Sequence, residues 1–139
     1  MGKLAIYESW KDNRTFTKNQ IKAIYGIDED FDYYCDYVKS RISTENRSEL
    51  SKLKNEIENK NISKVIIRSQ NHISRDMGMM LDFMEFASNN NCEVIDTSGF
   101  NHTNFYKFHK EAIMQTIEEN QTIQNDRKNI SDDLEGVSL

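Results

Sequence analysis

The sequence predicts an α/β domain built on a mainly parallel sheet. Short apolar or alternating segments take turns with segments of helical periodicity, the β-α-β-α-β-α-β-α order of such a fold. Ile62–Ile67 reads as a strand buried on both faces, the mark of a parallel sheet. A chain of 139 residues, 37% hydrophobic and 29% charged, suits one domain with one core.

Each element has a local reason. Leu4–Tyr7 is a short apolar run that continues in mixed character to Trp10, as a buried strand does. Thr17 can cap a helix starting at Lys18, whose Ile21, Ile24 and Tyr25 follow helical spacing and which Gly26 ends. Tyr34–Val38 alternates as a second strand, and Ser43–Asn46 supplies a polar loop. From Arg47 onward, Leu50, Leu53 and Ile57 form an amphipathic stripe. Met77–Ala87 is a strongly apolar helix carrying Met77, Met80, Leu81, Met84 and Phe86, with Met79 turned away from the stripe. Cys92–Ile95 is the last strand. Thr103 can cap a final helix bearing Phe105, Phe108, Ala112, Ile113 and Ile117 and running to about Asn125. The division expected is a domain over 1–102, a helix over 103–125 and an acidic, disordered tail over 126–139.

Composition excludes several classes. No apolar run approaches the roughly 20 residues of a membrane span, and MGKLAIY lacks a signal-peptide core, so a cytoplasmic protein is expected. Cys35 and Cys92 read as free thiols in strands. His102 and His109 are two helical turns apart, and no cluster has metal-ligand spacing, so neither metal nor cofactor is expected. Charge is uneven: residues 39–75 sum to +5, while residues 76–139 sum to −8. A basic strip is therefore local, and the C-terminal half would repel DNA.

Ligands of parallel sheets gather at the carboxyl ends of strands. Those ends are Ser9–Asn13, Lys39–Arg47, Arg68–Asp76 and Asp96–Phe100. In the third, Asn71–His72–Ile73–Ser74–Arg75–Asp76 follows the apolar Val65–Ile66–Ile67. This order of landmarks resembles the resolvase/invertase type of serine recombinase, in which a strand leads through x-x-Leu-Asp-Arg-Leu-x-Arg into a helix. The opening Tyr-x-Arg-Val-Ser-Thr and its Gln-(Ile/Leu)-x-Ala-(Ile/Leu) helix match at Tyr7, Gln20, Ile21 and Ala23. Ile42–Ser43 is similar to the family's Ser-Gly loop, and Arg47-Ser-Glu-Leu50 to its Arg-x-x-Leu helix start. The resemblance covers roughly residues 3–125 and implies a resolvase-like three-layer sandwich with four or five strands and a C-terminal helix.

The resemblance also implies a chemistry. Family members attack a DNA phosphate with a serine hydroxyl while arginines neutralise the developing charge. Here the nucleophile position falls on Lys11 and the arginine two before it on Ser9, while Asn71 and His72 replace an aspartate and an arginine. A slip of two residues would bring Ser9 into the nucleophile's place on the same strand face, but it breaks the spacing to Gln20. Arg47 and Arg75 remain, either as bidentate anion ligands or holding loops through carboxylates such as Asp76 or Asp12. His72 is expected as an exposed loop histidine, or as a pH-sensitive contact beside an anion. No counterpart of the family's DNA-reading helix-turn-helix is expected.

The expectation from these substitutions is a non-enzyme: a relative of the recombinases with no catalytic residue among Ser9, Lys11, Asn71 and His72. It would act through protein contacts of Phe105, Phe108, Ala112, Ile113 and Ile117, as a regulator encoded by a phage or mobile element. The partner expected is a second copy, an active recombinase or a host factor, with DNA met weakly or through that partner. The alternatives are nicking or phosphoryl transfer by Ser9 or Lys11 with Arg47 and Arg75, or a small-anion or nucleotide site in the old phosphate pocket.

Overall fold

Four parallel strands in the order β2-β1-β3-β4 form the sheet. They are β1 (Lys3–Trp10), β2 (Phe31–Tyr37), β3 (Ile62–Ile67) and β4 (Glu93–Asp96), connected through α1 (Lys18–Tyr25), α2 (Ser48–Glu58) and α3 (Met77–Asn89). A 3-10 turn, Gln70–His72, lies between β3 and α3. The computed structural model describes residues 2–113, 115, 116, 118 and 119.

The strand order dictates the layers. The chain steps from β1 to β2 in one direction, then crosses back over β1 to β3 and on to β4. Right-handed crossovers therefore place α1 on one face and α2 and α3 on the other. Packing agrees: Leu4 and Ile6 of β1 join Ile21 of α1 and Phe31 of β2 in one cluster. Their alternating neighbours Ala5 and Tyr7 are equally buried, on the opposite face. The expected three-layer α/β architecture is thus present, with four strands.

Local signals explain most boundaries. Thr17 and Gln20 form a reciprocal capping box at α1, and Gly26 ends the helix at φ 64°, in the left-handed region that glycine tolerates. Leu50, Leu53 and Ile57 are the buried stripe of α2.

Elsewhere the structure differs from expectation. β2 starts at Phe31, three residues early, because Phe31 turns into the α1 cluster. β3 is not buried on both faces throughout: Ser63 and Lys64 are exposed, so the helical layers leave its beginning open. In α3 the stripe is Met80, Leu81, Phe83, Met84 and Ala87, whereas Met77, in the first turn, is 57% exposed. Thr103 does not cap the last helix, which begins at His102. Its Oγ1 is buried and accepts from the Val94 amide, while Asn101 Oδ1 accepts from the Asn104 amide and caps instead.

The chain divides into two compact units, Met1–Lys107 and Phe108–Leu139. In the second, residues 108–113, 115, 116, 118 and 119 are helical, and Thr116 donates to the Ala112 carbonyl at 2.9 Å. Ile117, the expected helix end near Asn125 and the tail 126–139 lie outside the described residues.

Candidate functional site

Between β1 and β3 the order of connections reverses, and the loops following these two strands lead to helices on opposite faces. This is the crevice at which open α/β sheets bind ligands. Ser9, Lys11, Arg14, Arg68, Asn71, His72 and Arg75 all lie on those two loops or the strand ends feeding them. Arg41 and Arg47 come from the β2–α2 connection beside them.

On the α2 and α3 face, a chain of polar groups runs through the core. The Tyr7 hydroxyl donates to Asp36 Oδ2 at 2.8 Å. Asp36 also accepts from the amides of Glu49 and Leu50, both at 2.9 Å. It therefore caps α2 from a neighbouring strand, which explains how that helix starts behind Arg47, a residue whose side chain makes no capping bond. Burial and the Asp36 carboxylate push the Tyr7 phenol far above its ordinary pKa, so it stays a donor.

Arg47 is 2% exposed and spans this face. One of its terminal nitrogens donates to the carbonyls of His72 at 2.9 Å and Ile73 at 2.6 Å. Its Nε and other terminal nitrogen find no acceptor among the described residues.

Ser9 is fully buried beside it. The Ser9 Oγ donates to the His72 carbonyl at 2.7 Å, and the Ser9 amide donates to His72 Nδ1 at 3.1 Å. An acceptor at Nδ1 places the ring proton on Nε2. Arg41 closes the strand end by donating twice to the Ser9 carbonyl, at 2.6 and 3.1 Å.

His72 is not the exposed loop histidine expected. It is 5% exposed, because the 3-10 turn tucks its ring edge-on against Trp10 with centroids 4.9 Å apart. Burial, reinforced by the positive charge of Arg41, lowers its pKa to about 4. The neutral ring is thus built into the fold, and only the unfolded chain takes up a proton between pH 6.5 and about 4. Stability should fall as pH drops through that window and be unaffected by this residue above it. At about 1.4 kcal/mol per pKa unit the ceiling is about 3 kcal/mol, and relaxation around a protonated ring brings the expected loss to about 1–2 kcal/mol. Urea unfolding at pH 7 and pH 5 measures it; a His72→Asn variant should lose most of this dependence.

On the α1 face the central group is Glu8, also fully buried. It accepts from Tyr25 at 2.6 Å, Tyr33 at 2.5 Å and Trp10 Nε1 at 3.2 Å, and pairs with Arg68. Burial alone would raise the carboxyl pKa, but these donors outweigh it and hold it below the usual range. The guanidinium carbons of Arg14, Arg68 and Arg41 stand 4.0, 4.9 and 5.2 Å from the Trp10 ring centroid.

The crevice is electrostatically one-sided. Arg14 is neutralised by Asp12 and Arg68 by Glu8. Among the described residues, Arg41, Arg47 and Arg75 have no carboxylate partner; Asp12 is taken by Arg14, and Asp76 caps α3 at the Met79 amide. Burial, then repulsion from Arg75, Arg47 and Arg14, lowers the pKa of Arg41. Asp12 offsets this repulsion only in part, and guanidiniums with no ion pair of their own make a site suited to an oxyanion.

The expected site residues divide accordingly. Ser9, His72 and Arg47 come together in the core, Arg75 joins Arg41 at the rim through its amide on the Arg41 carbonyl at 2.8 Å, and Lys11 and Asn71 are exposed. Of the expected contact residues, Phe105 is 45% and Phe108 81% exposed; Ala112 is exposed and Ile113 half-buried. Asp36, Glu8, Trp10 and Arg41 were not singled out from the sequence. One signal was available: Arg47 is a poor helix cap, so α2 needed an acceptor from elsewhere.

Comparison with known proteins bears on this geometry. Residues 9–133 match the sequence profile described as "Resolvase, N terminal domain". The fold is similar to the N-terminal catalytic domain of TP901-1 integrase, with 20% identity, TM-score 0.66, and 86% of this chain and 99% of that one covered. A resolvase family site-specific recombinase from Streptococcus pneumoniae is similar at 19% identity and TM-score 0.64, covering 94% of this chain and 97% of that one. The first open reading frame of transposon ISC1904 from Sulfolobus solfataricus P2 follows, with 19% identity, TM-score 0.56, and 91% and 88% covered. No curated protein matches. The sequence profile overturns the expectation of a non-enzyme, since the family it describes is one of recombinase enzymes. That expectation counted residue types at fixed positions. The structure keeps a serine hydroxyl at the end of β1, and Arg41 brings a guanidinium to the main-chain carbonyl of that serine from another loop.

Proposed function

Because this chain belongs to the family of resolvase N-terminal domains, we propose that it works on DNA as a recombinase-type phosphoryl-transfer domain. Arg41, Arg47 and Arg75 hold a backbone phosphate, and the Ser9 hydroxyl attacks it. In that step Ser9 Oγ forms a bond to phosphorus, the bond from phosphorus to one deoxyribose oxygen breaks, and the serine proton ends on the released sugar hydroxyl. The arginines act by position and charge, which supply most of the catalysis in phosphoryl transfer. The observation that carries this reading is that Arg41, Arg47 and Arg75, none of them in an ion pair among the described residues, lie on the loops at the switch point of the sheet, with Arg41 bonded to the Ser9 carbonyl.

Assembly belongs to the same reading. Phe108 and Ala112, four residues apart in the helical residues of the second unit, are exposed, which suits pairing with a second copy or another recombinase. The regulatory role expected from the sequence then concerns which partner is met. Among the described residues no helix is long and apolar enough to cross a membrane, and we place the protein with DNA in the cytoplasm.

Binding of a short duplex, followed by fluorescence anisotropy across a salt series, tests the phosphate site. Arg41→Gln and Arg75→Gln should each weaken binding regardless of sequence and reduce the slope of log K against log salt by about 1. Unchanged slopes in both variants would remove the arginines from the DNA contact.

A further inference from the structure

Ser9 is held in a way that the proposed reaction cannot use. Its amide and its hydroxyl are both tied to His72, through the ring Nδ1 at 3.1 Å and the carbonyl at 2.7 Å. A hydroxyl that donates to a buried carbonyl is neither accessible to a phosphate nor free to lose its proton there.

The turn that carries His72 is closed by its own amides, from His72 to the Ser69 carbonyl and from Ile73 and Ser74 to the Gln70 carbonyl, and its outward carbonyls are held by Arg47. Its guanidinium binds the His72 and Ile73 carbonyls through one terminal nitrogen, at 2.9 and 2.6 Å. The remaining two nitrogens lie buried without an acceptor among the described residues. A planar guanidinium satisfied on one of three nitrogens is a poor match to two carbonyls. It is a good match to an oxyanion, which accepts two parallel donors and supplies the opposite charge. The far side of the turn is anchored separately, by the Ser74 hydroxyl on the Ile42 carbonyl and by the Arg75 amide on the Arg41 carbonyl. The turn therefore has a fixed edge on the β2–α2 loop and a releasable edge on Arg47.

We propose that Gln70–Ile73 is a latch on Ser9, and that a DNA phosphate opens it by drawing the Arg47 guanidinium away from the His72 and Ile73 carbonyls. His72 and Arg47 are then positioning residues: substrate arrival and release of the hydroxyl become one event, and without DNA the hydroxyl stays sealed. This rests on the reading of the crevice as a DNA-phosphate site.

Amide hydrogen exchange by NMR, with and without a short duplex, tests the latch, while anisotropy under the same conditions reports binding. The expected result is that bound DNA raises exchange at Ser9 and residues 72–74 at least tenfold, against the usual protection by a ligand. The emission of Trp10, the one tryptophan of the chain, should shift as the His72 ring leaves its 4.9 Å contact. Arg47→Lys keeps the charge but loses the fork, so the same amides should exchange rapidly without DNA and gain nothing from it. Should that variant fail to fold, His72→Asn provides the second arm: it removes the ring acceptor and should raise exchange at Ser9 several-fold while leaving Ser74 unchanged. DNA binding with exchange at residues 72–74 unchanged or slowed overturns the latch and leaves the phosphate site standing. No DNA binding at low salt overturns both.

Discussion

Glu8→Ala is expected to destabilise the protein by about 4 kcal/mol or more. The carboxylate is fully buried and accepts from Tyr25, Tyr33, Trp10 and Arg68, so its removal strands one charge and three neutral donors at once. Breaking a buried pair by removing one partner costs about 3–5 kcal/mol, and each buried group left unsatisfied adds about 1–3 kcal/mol, partly recovered by water entering the gap. Total stabilities of about 5–15 kcal/mol leave little margin. A urea midpoint lowered by roughly 2–3 M, or an unfolded product, is the expected outcome. Glu8→Gln, which keeps the shape and one acceptor oxygen, should lose less than half as much. Tyr25→Phe, which deletes one donor, should lose about 1 kcal/mol. The same carboxylate adds acid sensitivity. Its folded pKa is depressed, so its contribution is complete above the unfolded value of 4.5 and vanishes as pH falls through the lower folded value. That window lies below the one assigned to His72, and the two separate in a pH series.

Much of the fold was legible because it rests on local rules. Thr17, Gln20 and Gly26 mark both ends of α1 within ten residues, and the capping box and left-handed glycine are present. Leu50, Leu53 and Ile57 announce α2 by spacing, and all three are buried. The place of the site was legible too, since strand ends and connection order locate a crevice before any side chain is known. What was not legible depends on tertiary contacts. Asp36 caps a helix that starts twelve residues later, and nothing in the local sequence reports that. His72 read as an exposed loop residue because a segment following a strand is polar on average; this one is a 3-10 turn that folds under Trp10.

The chemistry misled for a related reason. Comparing residue types position by position suggested that the loss of arginines at positions 9 and 72 meant the loss of the reaction. A guanidinium on a long side chain can reach the same point from a different loop. Arg41, on the β2–α2 connection, brings one to the main-chain carbonyl of the residue that would have been arginine. The proposed site is therefore rebuilt rather than merely depleted.

The second large effect is chemical. Removing the nucleophile of an enzyme that works through a covalent intermediate costs on the order of a thousandfold or more, because the remaining groups can position a phosphate but cannot form the bond. Ser9→Ala should cause such a loss with little change in DNA affinity, as Arg41, Arg47 and Arg75 are untouched. Its structural effect should be small, since only one hydrogen bond to the His72 carbonyl goes, and that carbonyl keeps Arg47. The direct measurement is to incubate the protein with supercoiled DNA, denature it, digest it and map any nucleotide-linked peptide by mass spectrometry. A phosphoester on Ser9 is expected in the wild type and none in Ser9→Ala. An adduct that persists in Ser9→Ala, or none from wild-type protein that has bound the DNA, would contradict Ser9 as the nucleophile.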